Sequence, residues 1–163
     1  MTAPDMHTPA TRCSIRCASS EDIESLVPLF DAYRRFYGQV ADADLARGFL
    51  AERLARAESH ILLATGLAGR VALPLGFAQL YPMFSSIRCR RTLVLNDLYV
   101  AAAGRGLGVG TALLGHARRL AVQLGAASIS LQTAPDNRQA QSLYERFGFA
   151  RDDAFLDYVL TLS

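Results

Sequence analysis

The sequence predicts a mixed α/β fold: a single domain with a mixed central sheet flanked by helices. Three observations carry that reading. The chain has 163 residues, enough for one domain with its own core. Its apolar residues switch between strand-like runs and helical spacing in the order β-α-α-β-β-β-α-β-α-β-β. A run of alternating glycines, "GRGLGVG" at 104–110, stands between a strand-like segment and a helix-like one.

The elements follow in order. Residues 1–11 read as a flexible N-terminal tail and 12–163 as the domain. "CSIRCA" alternates enough for an opening strand. In "SSEDIESLVPLFDAYRRFYG", Ser19 or Ser20 caps a helix whose first turn holds Glu21, Asp22 and Glu24, where acids suit the helix dipole. Ile23, Leu26, Val27, Phe30, Tyr33 and Tyr37 recur at helical spacing. Pro28 falls early enough to be tolerated or to kink this helix, and Gly38 ends it. "DADLARGFLAERLARAES" is a second helix with Leu45, Phe49, Leu50 and Leu54 as its apolar stripe. "HILLATG" is a buried-strand run and "LAGR" a turn. "VALPLGFAQLYPMF" is the next strand, interrupted by Pro74 and closed by Pro82. "RTLVLNDLYV" is a long strand rich in β-formers. After the glycines, "GTALLGHARRLAVQLG" is a helix with Gly125 as its stop. "ASISLQTA" is a strand, and "PDNRQAQSLYERFG" is a helix beginning near Pro135 and Asp136. "FARDDAFLDYVLTLS" reads as a terminal pair of strands.

Composition excludes several functions. About half the residues are apolar (51%) and a fifth charged (20%), the profile of a soluble globular protein. No apolar run approaches the ~18 residues of a membrane span, and "MTAPDMHTPATR" lacks the apolar core of a secretory signal. Cys13, Cys17 and Cys89 are an odd count without metal-pair spacing, so neither a disulfide framework nor a metal site is expected. The expected location is cytoplasmic. All 17 basic residues are Arg, so no P-loop lysine, Schiff-base lysine or lysine general base can exist. A net charge of +2 gives no ground for a nucleic-acid partner.

Strand, glycine loop and helix together make the arrangement in which helical N–H groups point at an anion. The dinucleotide fingerprint G-x-G-x-x-G fails from every starting glycine, because the last position falls on Val109, Thr111 or Leu113. The P-loop fails for want of lysine. The pattern R/Q-x-x-G-x-G/A is satisfied by Arg105, Gly108 and Gly110. A helix-opening turn alone needs one glycine, not four.

On these residues the sequence resembles the GNAT superfamily of acetyl-CoA-dependent N-acetyltransferases, over roughly residues 13–163. "DLYVAAAGRGLGVGTALL" is similar to the family's signature strand, pyrophosphate loop and helix. "APDNRQAQSLYERFGF" is similar to its second signature, with Asn137, Ala140, Tyr144 and a closing Gly-Phe. The resemblance implies a GNAT fold, acetyl-CoA as co-substrate, no metal, and direct transfer to an amine without a covalent intermediate. It implies that main-chain groups of Leu98 and Val100, flanking Tyr99, pair with the pantetheine arm. The Leu98 N–H would then face the thioester oxygen. Main-chain groups of Arg105, Gly106, Leu107, Gly108, Val109 and Gly110 would hold the pyrophosphate and Asn137 would contact the arm, with Thr111 and Ala140 also among the cofactor-binding residues. Tyr144 matches the tyrosine near the CoA sulfur. A thiolate of pKa ~8.5 leaves there, and a phenol of pKa ~10 can hydrogen-bond or protonate it.

An amine of pKa ~10 is protonated at neutral pH, so attack requires that a proton be removed. Asp97, on the signature strand, is the candidate base; a carboxylate that merely holds a strand bulge is the alternative. "FSSIRCRRTLVLNDLYV" also resembles diamine acetyltransferases, which carry Glu-Asp where this chain has Asn96-Asp97, so a base at 96 is excluded. The acceptor is expected under the first two helices and the third strand, with Tyr33, Phe36, Tyr37, Tyr81, Phe84 and Ser85 as walls; aromatic stripes at this spacing also serve as core. The expected acceptor is a small-molecule amine and the expected assembly a homodimer. A peptide acceptor and a non-catalytic acyl-CoA-binding module are the alternatives.

Overall fold

The computed structural model describes residues 13–68, 70–154 and 156–162. The expected tail over 1–11 and Gly69 of the "LAGR" turn lie outside them. The chain divides into two compact units, Met1–Gln132 and Thr133–Ser163.

The first unit holds a five-stranded sheet in the order β1-β2-β3-β4-β5. Its strands are β1 (Ser14–Cys17), β2 (His60–Ala68), β3 (Val71–Ser85), β4 (Arg90–Val100) and β5 (Ile129–Ser130). The first three pairings are antiparallel and β4–β5 is parallel, so the sheet is mixed, as the sequence predicts. Between β1 and β2 run α1 (Ile23–Phe36) and α2 (Ala43–Ala55), and between β4 and β5 runs α3 (Val109–Gln123).

Each strand's two-residue period sorts its side chains onto the two faces. Ile61, Leu63 and Phe77 face α1 and α2 and pack with Leu26, Val27, Phe30, Ala46 and Leu50. Leu62, Ala78, Leu80 and Leu93 lie on the opposite face and are buried on the side of α3, where Leu113, Leu114 and Ala117 are buried too. A first helical segment opens with the short turn Ser20–Asp22, which leads directly into α1, and Ser19 caps its start through a reciprocal bond pair with Asp22. Asp42 caps α2 by accepting from the Leu45 N–H. On α2, Ala46 rather than Leu45 belongs to the buried stripe, since Ala46 and Leu50 lie one turn apart and Leu45 is 57% exposed.

Neither proline breaks β3. Pro74 sits at an irregularity against β2, where the register shifts between Ala64 and Thr65. Pro82 lies past Leu80, where β2 has ended at His60, so its missing N–H removes no rung from β2. The strand "ASISLQTA" contracts to Ile129–Ser130, in register with Leu93 and Val94 of β4; just ahead of it the Ala127 N–H donates to the Arg91 carbonyl and the Ser128 carbonyl accepts from the Leu93 N–H.

The second unit holds α4 (Arg138–Phe147). Its cap is Asn137, not Pro135 or Asp136: the Asn137 side chain accepts from the Ala140 N–H at 3.2 Å. The expected terminal strand pair is absent among the described residues of 149–162. Alternating apolar residues supply strand propensity there, but a strand also needs a partner ladder, and none is formed.

Candidate functional site

The chemistry-bearing geometry of the first unit begins with one extra residue in β4. Gln79 pairs with Asp97 and Leu80 with Leu95, so Asn96 is a bulge with no opposite number on β3. A bulge inverts the facing of everything beyond it. Leu93 and Leu95 lie opposite Pro82 and Leu80 and face α3. Asp97 and Tyr99, of the same parity, lie opposite Gln79 and Phe77 and face α1 and α2. The bulge therefore carries the Asp97 carboxylate to the aromatic face of the sheet.

Asp97 is 4% exposed. One carboxylate oxygen accepts from Gln79 Nε2 at 2.7 Å and the other from Asn96 Nδ2 at 3.0 Å. The Tyr33 hydroxyl is a further hydrogen-bonding neighbour. Burial pushes the carboxyl above its ordinary value, against the opposing pull of Gln79, Tyr33 and Asn96. Tyr81 stands close enough to feel this carboxylate. Burial, reinforced by the Asp97 charge, pushes its phenol up to about 12.

The same bulge sets the free edge of β4. The Ala101 N–H donates to the Leu75 carbonyl at 2.9 Å, so main-chain groups of that parity, including those of Tyr99, turn toward β3. Those of Leu98 and Val100 turn the other way. That edge meets β5 only at Leu93 and Val94, and beyond them no strand of the described residues pairs with it. Arg105 leans against the edge, its Nε 3.4 Å from the Val100 carbonyl.

The glycine loop follows directly. A Cβ on Gly104 would stand 2.9 Å from the Leu75 carbonyl oxygen, so the backbone passes β3 too closely for a side chain. Gly106 and Gly108 adopt φ of +73° and +75°, which L side chains resist. Three of the four glycines thus have a local backbone reason. Gly108 opens α3 without a side-chain cap, and no acid stands in the first turn. The starts of the first helical segment and of α2 each carry a side-chain cap and an acid. A bare N-terminus of a 15-residue helix, beside an arginine, suits an anion.

The other predicted residues are placed as follows. Tyr33 is half-buried and stacks edge-on with Phe77 and Tyr37. Tyr37 is half-exposed, and Phe84 is exposed with the Arg91 guanidinium over its ring. Ser85 ends β3 and accepts from the Arg88 N–H. Leu107 is exposed, while Val109, Gly110 and Thr111 form the first turn of α3. In the second unit, Asn137, Ala140 and Tyr144 follow one another at helical spacing along α4, with Tyr144 edge-on to Phe149 at 5.8 Å. Sequence reasoning missed Gln79 and Ser59. The available signal was a glutamine at a core position of an otherwise apolar strand.

An unpaired strand edge that runs into a bare helix N-terminus is a geometry suited to an elongated anionic ligand. Comparison with known proteins defines the class. The sequence model of the Acetyltransferase (GNAT) family matches residues 24–149. The chain is 42% identical over 149 residues to an uncharacterized N-acetyltransferase, YhfO, of Bacillus subtilis, covering 91% of this chain and 97% of that one. The streptothricin acetyltransferase of Streptomyces lavendulae is 34% identical over 94 residues, 58% of this chain and 46% of that one. Among solved structures, a probable acetyltransferase superposes with a TM-score of 0.85 at 42% identity, covering 92% of this chain and 98% of that one. A ribosomal-protein-alanine N-acetyltransferase of Brucella melitensis superposes at 0.77 with 19% identity, over 92% and 99% of the two chains, a likeness of fold alone. The chain belongs to the GNAT acetyltransferase family, and it is an acetyl-CoA-dependent acetyltransferase. Among the described residues no group of three or more His, Cys, Asp or Glu could hold a metal ion. No helix among them is long and apolar enough to cross a membrane.

Proposed function

We propose that the chain acetylates a primary amine of a small molecule, with Asp97 as the general base and Tyr144 as the proton donor to the departing sulfur. The observation that carries this reading is the Asp97 carboxylate. It is buried on the aromatic face, hydrogen-bonded to neutral groups, and one residue from the free main-chain edge at Leu98. Burial holds this carboxyl above its ordinary value, the direction that makes its ionised form a stronger base.

The roles then divide along the chain. Main-chain groups of Leu98 and Val100 are proposed to hold the thioester arm as an added strand would, with the Leu98 N–H polarising the carbonyl. Arg105 and the N–H groups through Gly110 are proposed to hold the pyrophosphate. Asn137 keeps its amide NH2 for the arm while its oxygen caps α4. Asp97 takes one proton from the ammonium, the freed amine nitrogen bonds to the carbonyl carbon, the C–S bond breaks as Tyr144 protonates the thiolate, and the second proton, shed by the nitrogen as it becomes an amide, passes through solvent to restore the Tyr144 phenol. Tyr33 and Tyr81 would line the acceptor's approach to Asp97, with Tyr37, Phe84 and Ser85 further out.

A small acceptor is supported by how little of Asp97 is exposed, which suits one slim amine-bearing arm, and by the streptothricin acetyltransferase among the relatives. The test is mass spectrometry of polyamines, amino acids of both hands, aminoglycosides and basic peptides incubated with the protein and acetyl-CoA. Acetylation confined to small amines supports the reading. Acetylation of peptides alone overturns the acceptor class. Saturable acetyl-CoA binding with no product across the panel would downgrade the catalytic proposal.

A further inference from the structure

Behind Asp97 the buried chain of hydrogen bonds continues. The Ser59 hydroxyl donates to Gln79 Oε1 at 3.0 Å, and Gln79 Nε2 donates to Asp97 Oδ2 at 2.7 Å. Ser59 is 7% exposed and Gln79 fully buried. Their polarity follows from chemistry. A carboxylate can only accept, so Gln79 must turn its NH2 toward Asp97, and its oxygen is left for the one hydroxyl proton Ser59 has. A flipped amide would set an oxygen against the carboxylate and leave the buried Ser59 hydroxyl facing a donor.

We propose that Gln79 is a positioning residue for Asp97, and that Ser59 acts by fixing which end of the Gln79 amide Asp97 meets. The inference rests on the reading of Asp97 as the base and extends it inward by two residues. Gln79 occupies one carboxylate oxygen from within the sheet, pins the carboxylate rotamer, and leaves the other oxygen beside Asn96 for the incoming amine. It also favours the ionised form, opposing the burial that favours the neutral one. The other groups facing this carboxyl are Tyr33 of α1 and Tyr81 of β3. Through Tyr81 come Arg53 of α2 and Glu58 of the connection before β2. None of the hydrogen bonds that bear on Asp97's protonation comes from a cation, so the amide offsets part of the burial without fixing the ionised form as an ion pair would.

The test needs no acceptor. The pH titration of the Asp97 side-chain carboxyl is followed by 13C NMR, its resonance assigned by its loss in Asp97→Asn. Gln79→Met is expected to raise the midpoint by about one pH unit or more, the size of a hydrogen bond to a charged group. Ser59→Ala should raise it by less, and the double variant should match Gln79→Met alone, because Ser59 acts only through Gln79. An unmoved midpoint in Gln79→Met, or shifts that simply add, overturns the inference. Should Gln79→Met fail to fold, Ser59→Ala decides alone: an upward shift supports the inference and none overturns it. The base reading is tested separately by turnover. Asp97→Asn with undiminished acetylation would end that reading and leave the titration standing. An inactive Asp97→Asn beside an unmoved Gln79→Met midpoint would end the Gln79 inference only.

Discussion

Two carboxylates in the first unit are almost equally hidden, Asp22 at 7% exposure and Asp97 at 4%, yet their surroundings push them in opposite directions. Asp22 receives both ends of the Arg16 guanidinium, at 2.7 and 2.5 Å, and the Ser19 N–H at 2.8 Å. The Arg16 hydrogen bonds hold its carboxyl down at about 2. Asp97 receives only neutral donors, and burial prevails. Burial alone therefore does not mark a chemical carboxylate. A charged partner fixes the ionised form and makes a structural joint. Neutral partners leave the proton balance adjustable, which is what a general base requires.

The comparison yields crossed expectations. Asp97→Asn should keep the fold and lose turnover by roughly 10²–10⁴-fold, read by product mass. Loss of folding instead would make Asp97 a second structural joint. Tyr144→Phe should slow acetylation by roughly ten-fold or more without weakening acetyl-CoA binding. An unaffected rate would remove the proton-donor role and leave the family assignment intact. Arg105→Ala should weaken acetyl-CoA binding several-fold, with a shallower salt dependence than the unaltered chain, as measured by titration calorimetry. Arg16→Ala should leave the chemistry unchanged and cost about 1–2 kcal/mol in denaturant unfolding, discounted because Arg16 itself is largely solvent-exposed.

The pH dependence of stability sharpens the contrast further. Asp22 has a depressed folded pKa, so its contribution is present above the unfolded value near 4 and is lost as pH falls toward 2. Asp97 has a raised folded pKa, so its contribution is present below pH ~4 and is lost as pH rises through the folded value. Arg16→Ala should flatten the acid slope, and Asp97→Asn the slope above it.

The sequence made the sheet, the first three helices and the glycine loop legible, because apolar period and turn chemistry are local. Asp97 and the free edge at Leu98 were legible through the signature strand. What stayed hidden depends on partners that sequence does not list. Pro82 looked like a stop, but a proline breaks a strand only where a neighbour needs its N–H. The terminal alternation looked like a strand pair, but no ladder forms among the described residues. A strand bulge was named in the sequence as the alternative role for Asp97, but its place at Asn96 is a mismatch in count between β3 and β4, which neither strand shows alone. The bulge decides which face Asp97 takes and brings Gln79 and Ser59 to it.

The most direct test of Asp97 as an adjustable base is the pH profile of acetylation. It would be measured for the unaltered chain and Asp97→Asn on the best amine from the mass-spectrometric panel. Activity is expected to fall on acidification through a midpoint above the ordinary carboxylate range, and Asp97→Asn to remove this limb along with most of the rate. The same limb persisting in Asp97→Asn would place the base elsewhere and return Asp97 to the role Asp22 plays.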